Sequence, residues 1–170
     1  MTEKVRIEHT LECSEDTFWQ LFLDEKYNQA LFSGYLKFPL WRVASSVDGD
    51  KELKRVIEVE PYVADLPATI KKVVGDNIRY REEGRLDKEK RRYYVEIVPA
   101  RMADKIFVKG EQYTEPAPGG FTKRIFLAEI TVKIFGLGGL MEKRVAADLQ
   151  RSYELGAKFT NRYVKENGLG

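Results

Sequence analysis

The sequence predicts an α+β fold in which a curved antiparallel sheet of about six or seven strands closes around one long C-terminal helix. Three observations carry this expectation. A strictly alternating strand pattern opens the chain and is followed directly by two short helical patterns. A run of strand patterns separated by brief turn signals fills the middle. The longest helical pattern of the chain, Leu140 to about Glu166, comes last.

Taken in order, Val5, Ile7, His9 and Leu11 alternate with Arg6, Glu8, Thr10 and Glu12, which marks Lys4–Glu12 as a half-buried strand. Ser14 offers an N-cap oxygen, and Glu15 and Asp16 put negative charge in the first turn. The helical spacing of Phe18, Trp19, Leu21 and Phe22 then carries a first helix to about Leu23. A second short helix is expected from Asp24 to about Tyr35, where Gly34 and Pro39 break the pattern. Leu40–Val47 and Leu53–Val63 flank Asp48-Gly49-Asp50, a hairpin signal. Pro67 and Gly75 bracket a helical turn or two. The strand patterns Ile78–Leu86, Arg91–Val98, Lys105–Tyr113 and Phe121–Ile134 follow as a meander. The closing helix carries Met141, Val145, Leu149, Tyr153, Phe159 and Tyr163, should span about 40 Å, and stops at Asn167-Gly168. A sheet of this length curls, and only that helix is long enough to cover its concave face.

A length of 170 residues suits a single ligand-binding domain, residues 1–170, with one substantial core. The 29 basic and 27 acidic residues interleave to a net charge of +2, so no nucleic-acid partner is expected. Nowhere do about 18 uncharged apolar residues follow one another, and Met1 to Arg6 lead into no apolar run, so the expectation is a cytoplasmic protein. Cys13 and His9 are each the only residue of their type, which excludes an internal disulfide, a cysteine cluster or a site built from several imidazoles. No metal or other cofactor is expected, and the chain is expected to be a monomer.

Pro67 to Gly75 followed by Tyr80 and Glu82, the run Glu129 to Glu142 leading into the last helix, and Phe159-Thr160-Asn161-Arg162-Tyr163 carry a family resemblance. With this order of elements, the chain resembles the helix-grip fold of the START-like or SRPBCC superfamily, which includes birch-pollen allergen relatives, lipid-transfer domains and polyketide aromatase/cyclases. Within it, the residues are similar to an uncharacterised bacterial branch, which commonly has a proline where Phe135 stands. The resemblance covers nearly the whole chain. It implies an internal pocket for lipids, sterols, polyketides or related molecules, and it transfers no catalytic residue.

Inward strand positions and one face of the last helix would line such a pocket: Ile57, Val59, Tyr80, Tyr93, Val95, Phe126, Leu149, Tyr153 and Phe159. The same residue types serve equally well as ordinary core. Polar residues on those faces are more telling, because burying them unpartnered costs a few kcal/mol each, on the order of 1–3. His9, Arg55, Glu82, Gln112 and Arg124 meet that description. The favoured reading pairs an arginine with Glu82; the alternative aims the planar fork of Arg55 or Arg124 at a ligand anion. Glu82 and Arg124 therefore join the ligand-binding candidates.

The segment Phe135-Gly136-Leu137-Gly138-Gly139-Leu140 lacks the Lys-Ser/Thr ending of a phosphate-binding loop and reads as a chain reversal beside a pocket mouth. The apolar stretch Leu31 to Trp41 either packs on the sheet or makes transient contact with a membrane surface, and packing is favoured. Lys88, Lys90, Arg91 and Arg92 read as solvated surface at a hairpin. The leading function is binding, with or without intermembrane transfer, of a lipid or other hydrophobic small molecule. One alternative is a cofactor-independent enzyme of the aromatase/cyclase or hydrolase type, with Glu82 or His9 as base and Tyr80 or Tyr93 polarising a carbonyl. Another is a protein-interaction module using the Phe32 to Trp41 stretch. Non-enzymatic binding is favoured over catalysis.

Overall fold

The computed structural model describes residues 1–170. Seven strands run β1 (Thr2–Leu11), β2 (Leu40–Asp48), β3 (Glu52–Glu60), β4 (Tyr80–Asp87), β5 (Arg92–Pro99), β6 (Ile106–Ala117) and β7 (Phe121–Val132). Four helices join them: α1 (Glu15–Leu23), α2 (Glu25–Gln29), α3 (Ala68–Val74) and α4 (Gly138–Glu166). All strand pairs are antiparallel, in the order β1-β7-β6-β5-β4-β3-β2. The meander from β2 to β7 is thus extended by β1, which returns to pair with β7 at the far edge.

Local chemistry accounts for the helix boundaries. The Ser14 hydroxyl accepts the Thr17 N–H at 3.1 Å, and Asp24 caps α2 by accepting the Tyr27 N–H at 2.7 Å. After α2 the chain widens into a π-helical turn over Ala30–Tyr35, in which the Leu36 N–H reaches Leu31 O at 2.8 Å. This folds Leu31, Leu36 and Trp41 inward, each less than a tenth exposed, and stacks Phe32 on Trp41 with ring centroids 5.0 Å apart. The apolar stretch is therefore packed within the protein.

At the other end of the chain, Gly136 adopts φ 76°, a left-handed conformation that turns β7 into α4 and leaves Phe135 fully exposed. Two expected bounds shift at this junction: β7 ends at Val132, and α4 begins at Gly138, two residues before Leu140. Elsewhere β6 continues to Ala117, four residues past Tyr113, because Thr114 to Ala117 keep their pairing with β7.

At 29 residues α4 is about 44 Å long and lies across the concave face. Polar contacts fix it along its length. Glu142 Oε1 accepts the Val132 N–H at 3.0 Å, the Tyr27 hydroxyl meets Thr160 Oγ1 at 2.5 Å, and Asn161 Oδ1 accepts the Glu12 N–H at 2.9 Å. Apolar packing divides along the same helix. Ala157, Phe159 and Val164 in its C-terminal half join a cluster with α1, α2, Leu53, Leu86 and Tyr93. Met141 and Ala146 in its N-terminal half join Val5, Ile7, Ile70, Val108, Phe126 and Ile130. Between these clusters the interior is not filled.

The basic hairpin is paired surface. Lys88 bonds Asp48, Arg91 bonds Asp16, and Arg92 bonds Glu111 at 3.2 Å.

Candidate ligand cavity

A cavity of about 530 Å³ lies between the sheet and the middle of α4, and 26 of its 40 lining residues are hydrophobic. That volume is in the range of small-molecule sites, roughly 300–1,000 Å³. Trp41, Ile57, Tyr80, Val95, Ile97, Val108 and Phe126 line it from the strands, and Val145, Leu149, Tyr153 and Gly156 line it from α4. Phe18 and Phe22 of α1 close one end; Leu66, Ile70 and Val74 of the α3 region close the other. Arg144 of α4 latches this second end, donating to Ala64 O at 2.7 Å and Asp65 O at 3.3 Å while paired with Asp148 at 3.0 Å.

Of the eleven candidates from the sequence, Ile57, Tyr80, Glu82, Tyr93, Val95, Arg124, Phe126, Leu149 and Tyr153 line the cavity. Val59 and Phe159 do not. Val59 is packed with Trp41 and Ile57, and Phe159 is packed among Tyr27, Tyr35 and Tyr163. Both are inward positions at which neighbouring side chains fill the core. Tyr80, Glu82, Val95, Leu149 and Tyr153 face inward yet retain accessible surface, because the space beside them is empty of protein.

The expected pairing of Glu82 with an arginine is absent. Tyr93 stands between them instead: Arg55 Nε donates to the Tyr93 hydroxyl at 3.2 Å, and that hydroxyl donates to Glu82 Oε1 at 3.5 Å. The Tyr93 ring lies over Gly84, where a Cβ would fall 1.6 Å from the hydroxyl, so only glycine admits this geometry. Arg55 also donates to Phe22 O at 3.4 Å and sits over the Phe22 ring at 4.6 Å. Burial pushes the Glu82 carboxyl above its ordinary value, against the opposing pull of Arg55 and the Tyr93 bond. Burial likewise raises the phenols of Tyr80, Tyr93 and Tyr153, so all three stay neutral donors at ordinary pH.

Arg124 lies on the other side of the site. Its Nη2 donates to Tyr153 O at 3.0 Å and approaches His9 Nδ1 at 3.4 Å, and its guanidinium stacks over the Tyr153 ring at 4.8 Å. Burial and the nearby Arg124 charge lower the His9 pKa, which keeps the imidazole neutral. Gln112, 4% exposed, lines the cavity with its Nε2 unpartnered. Sequence reasoning missed the contributions of α1 and of Arg144. The signal for Arg144 is weak, since its partners are backbone carbonyls of a loop. The outer face of the sheet holds a second, wider concavity of about 910 Å³, but only 7 of its 20 lining residues are hydrophobic, and alternating Lys, Arg and Glu dominate it.

A curved seven-stranded antiparallel sheet gripping a long C-terminal helix is the helix-grip fold of the Bet v 1-like or SRPBCC superfamily. Residues 6–164 match the family described as "Protein of unknown function (DUF2505)", and the chain belongs to that family. Among solved structures it is similar to TTHA0849 from Thermus thermophilus, at TM-score 0.69 and 20% identity over 97% of this chain and 99% of that one. It is also similar to the Zhui aromatase/cyclase from Streptomyces sp. R1128, at TM-score 0.69 and 12% identity over 97% and 94% of the two chains. Norcoclaurine synthase from Thalictrum flavum superposes at TM-score 0.67 with 16% identity, over 98% and 88%. At these identities the likeness is one of fold. No curated protein matches the chain by sequence. No helix is long and apolar enough to cross a membrane, and no group of three or more His, Cys, Asp or Glu side chains is placed to hold a metal ion.

Proposed function

We propose that the protein binds a hydrophobic or amphipathic small molecule, such as a lipid, in the cavity between the sheet and α4. The observation that carries this reading is the unfilled interior itself. Close packing is the rule for protein cores, and voids larger than a water are few. Here about 530 Å³ lined mainly by apolar side chains is held open by a sheet and a helix that are fixed by their own hydrogen bonds. The apolar lining supplies affinity, and Arg55, Glu82, Tyr93, Gln112 and Arg124 supply orientation. One fold neighbour, norcoclaurine synthase, has been solved in complex with two small molecules, dopamine and hydroxybenzaldehyde.

The test is native purification, solvent extraction and mass spectrometry against a mock preparation. A stoichiometric apolar molecule is expected. Absence of any copurifying molecule, together with no binding across a panel of fatty acids, sterols and aromatic polyketides, would overturn the reading. Exchange of the bound molecule between vesicles then separates transfer from storage.

One arrangement favours a second reading, a cofactor-independent enzyme. Glu82, its carboxyl raised by burial, faces the cavity beside neutral phenols on Tyr80 and Tyr93, a base and proton donors for carbonyl chemistry. A Glu82→Gln protein with full turnover on an identified substrate would remove Glu82 from that chemistry.

A further inference from the structure

The cavity holds more positive charge than the protein offers partners for. Arg55 and Arg124 both line it, each 7% exposed, and Glu82 is the carboxylate among them, acting on Arg55. Two guanidinium groups and one carboxylate leave a net charge of +1, or +2 while Glu82 keeps its proton. Of the other charged side chains of the lining, Arg79 pairs with Glu60, Arg144 pairs with Asp148, and Arg101 is exposed to solvent.

The two arginines differ. Arg55 is spoken for by the Tyr93 hydroxyl, the Phe22 carbonyl and two aromatic faces. Arg124 has only the Tyr153 carbonyl and His9, both at Nη2, so its Nε and Nη1 donors have no protein acceptor. On the neighbouring strand, Gln112 pairs with Phe126 while Arg124 pairs with Thr114. Gln112 and Arg124 are therefore diagonal neighbours on the inner face, about 7–8 Å apart at Cα. The Gln112 Nε2 also lacks an acceptor. An unpaired buried cation and an unpaired buried amide donor thus stand side by side in one apolar cavity.

We propose that Arg124 and Gln112 receive the carboxylate of an amphipathic ligand whose apolar body runs along Phe126, Val108 and Leu149. The assignment rests on the cavity-binding reading and deepens it. A carboxylate answers both deficits together, balancing the charge and accepting from the guanidinium and the amide. An alcohol or ester head would leave the charge uncompensated. Repulsion by Glu82 is limited by distance: its cross-sheet level on β6 is Val108, four residues from Gln112, or about 13 Å along the strand.

Isothermal titration of the purified protein with dodecanoate, dodecan-1-ol and dodecyl phosphate tests this. Dodecanoate is expected to bind at least about tenfold more tightly than the alcohol, and more tightly than the phosphate. Arg124→Met and Gln112→Leu should each weaken dodecanoate binding about tenfold while changing alcohol binding less than about twofold. If Arg124→Met does not fold, the Gln112→Leu protein and the wild-type comparison still decide. Equal affinity for dodecanoate and dodecanol overturns the carboxylate assignment and leaves the cavity reading intact. Tighter binding of dodecyl phosphate overturns the carboxylate in favour of a phosphate head. Binding of none of the three counts against the cavity reading itself.

Discussion

Replacing Tyr93 by Phe isolates the bond that organises the inner polar cluster. The ring is 2% exposed, edge-on to Phe22 at 4.8 Å between centroids and covered by Arg55 at 5.1 Å. Tyr93→Phe keeps those contacts and removes a single oxygen, so packing cancels and the hydrogen bonds remain. The bond to Glu82, at 3.5 Å, is at the limit of hydrogen-bond length and contributes little. The bond from Arg55, at 3.2 Å, is charge-assisted and buried, and its loss strands a guanidinium N–H. A stranded buried donor costs on the order of 1–3 kcal/mol. A loss of about 2 kcal/mol is therefore expected, which for a chain of this size lowers Tm by about 4–8 °C. Urea denaturation at pH 7 with thermal scans measures it. Because Tyr93 also helps hold the Glu82 proton affinity down, the Glu82 carboxyl should titrate higher in the variant, visible by carboxyl-detected NMR. A variant within about 0.5 kcal/mol of wild type, with Glu82 unmoved, would refute the bridging role of the hydroxyl.

Two further outcomes follow from the same cluster. Glu82 faces Arg55 from β3, Tyr93 from β5, Tyr80 on its own strand and Tyr153 from α4, and burial sets the direction of its shift. The folded protein thus holds the Glu82 proton to a higher pH than the unfolded chain does, so stability falls as pH rises from the ordinary value of 4.5 through the raised one. Glu82→Gln should lack this loss, gaining on wild type across that window by about 1.4 kcal/mol per unit of elevation; parallel stability profiles from pH 4 to about 8 would contradict it. Gly84→Ala would drive a methyl into the Tyr93 hydroxyl at 1.6 Å and should cost at least about 2 kcal/mol in chemical denaturation, whereas an unchanged urea midpoint would show that the ring can move aside freely.

The architecture was legible because each element carries its own periodicity. The alternation around Val5 to Leu11, the cap at Ser14, the turn at Asp48-Gly49-Asp50 and the long pattern ending at Asn167 all act over a few residues. Where β1 would pair was not legible, since an edge strand's neighbour is settled by closure of the sheet. Facing was legible too, because register on a strand has period 2, and nine of the eleven candidate residues do line the cavity. Which inward positions border empty space was not, and Val59 and Phe159 fall among filled core. The polar partners were least accessible. His9, Arg55, Gln112 and Arg124 announce themselves as polar residues on inward faces, but whether Arg55 reaches Glu82 directly or through Tyr93 depends on a tyrosine lying over a glycine one strand away.

Ligand should enter the inner cavity and not the larger trough on the outer face of the sheet. Methyl-resolved NMR during titration with dodecanoate tests it most directly, since each surface carries its own reporters. Shifts are expected at Ile57, Ile97, Val108 and Leu149, which line the inner cavity, with Val47, Val56 and Leu127 of the outer trough unmoved. Shifts confined to Val47, Val56 and Leu127 would contradict it.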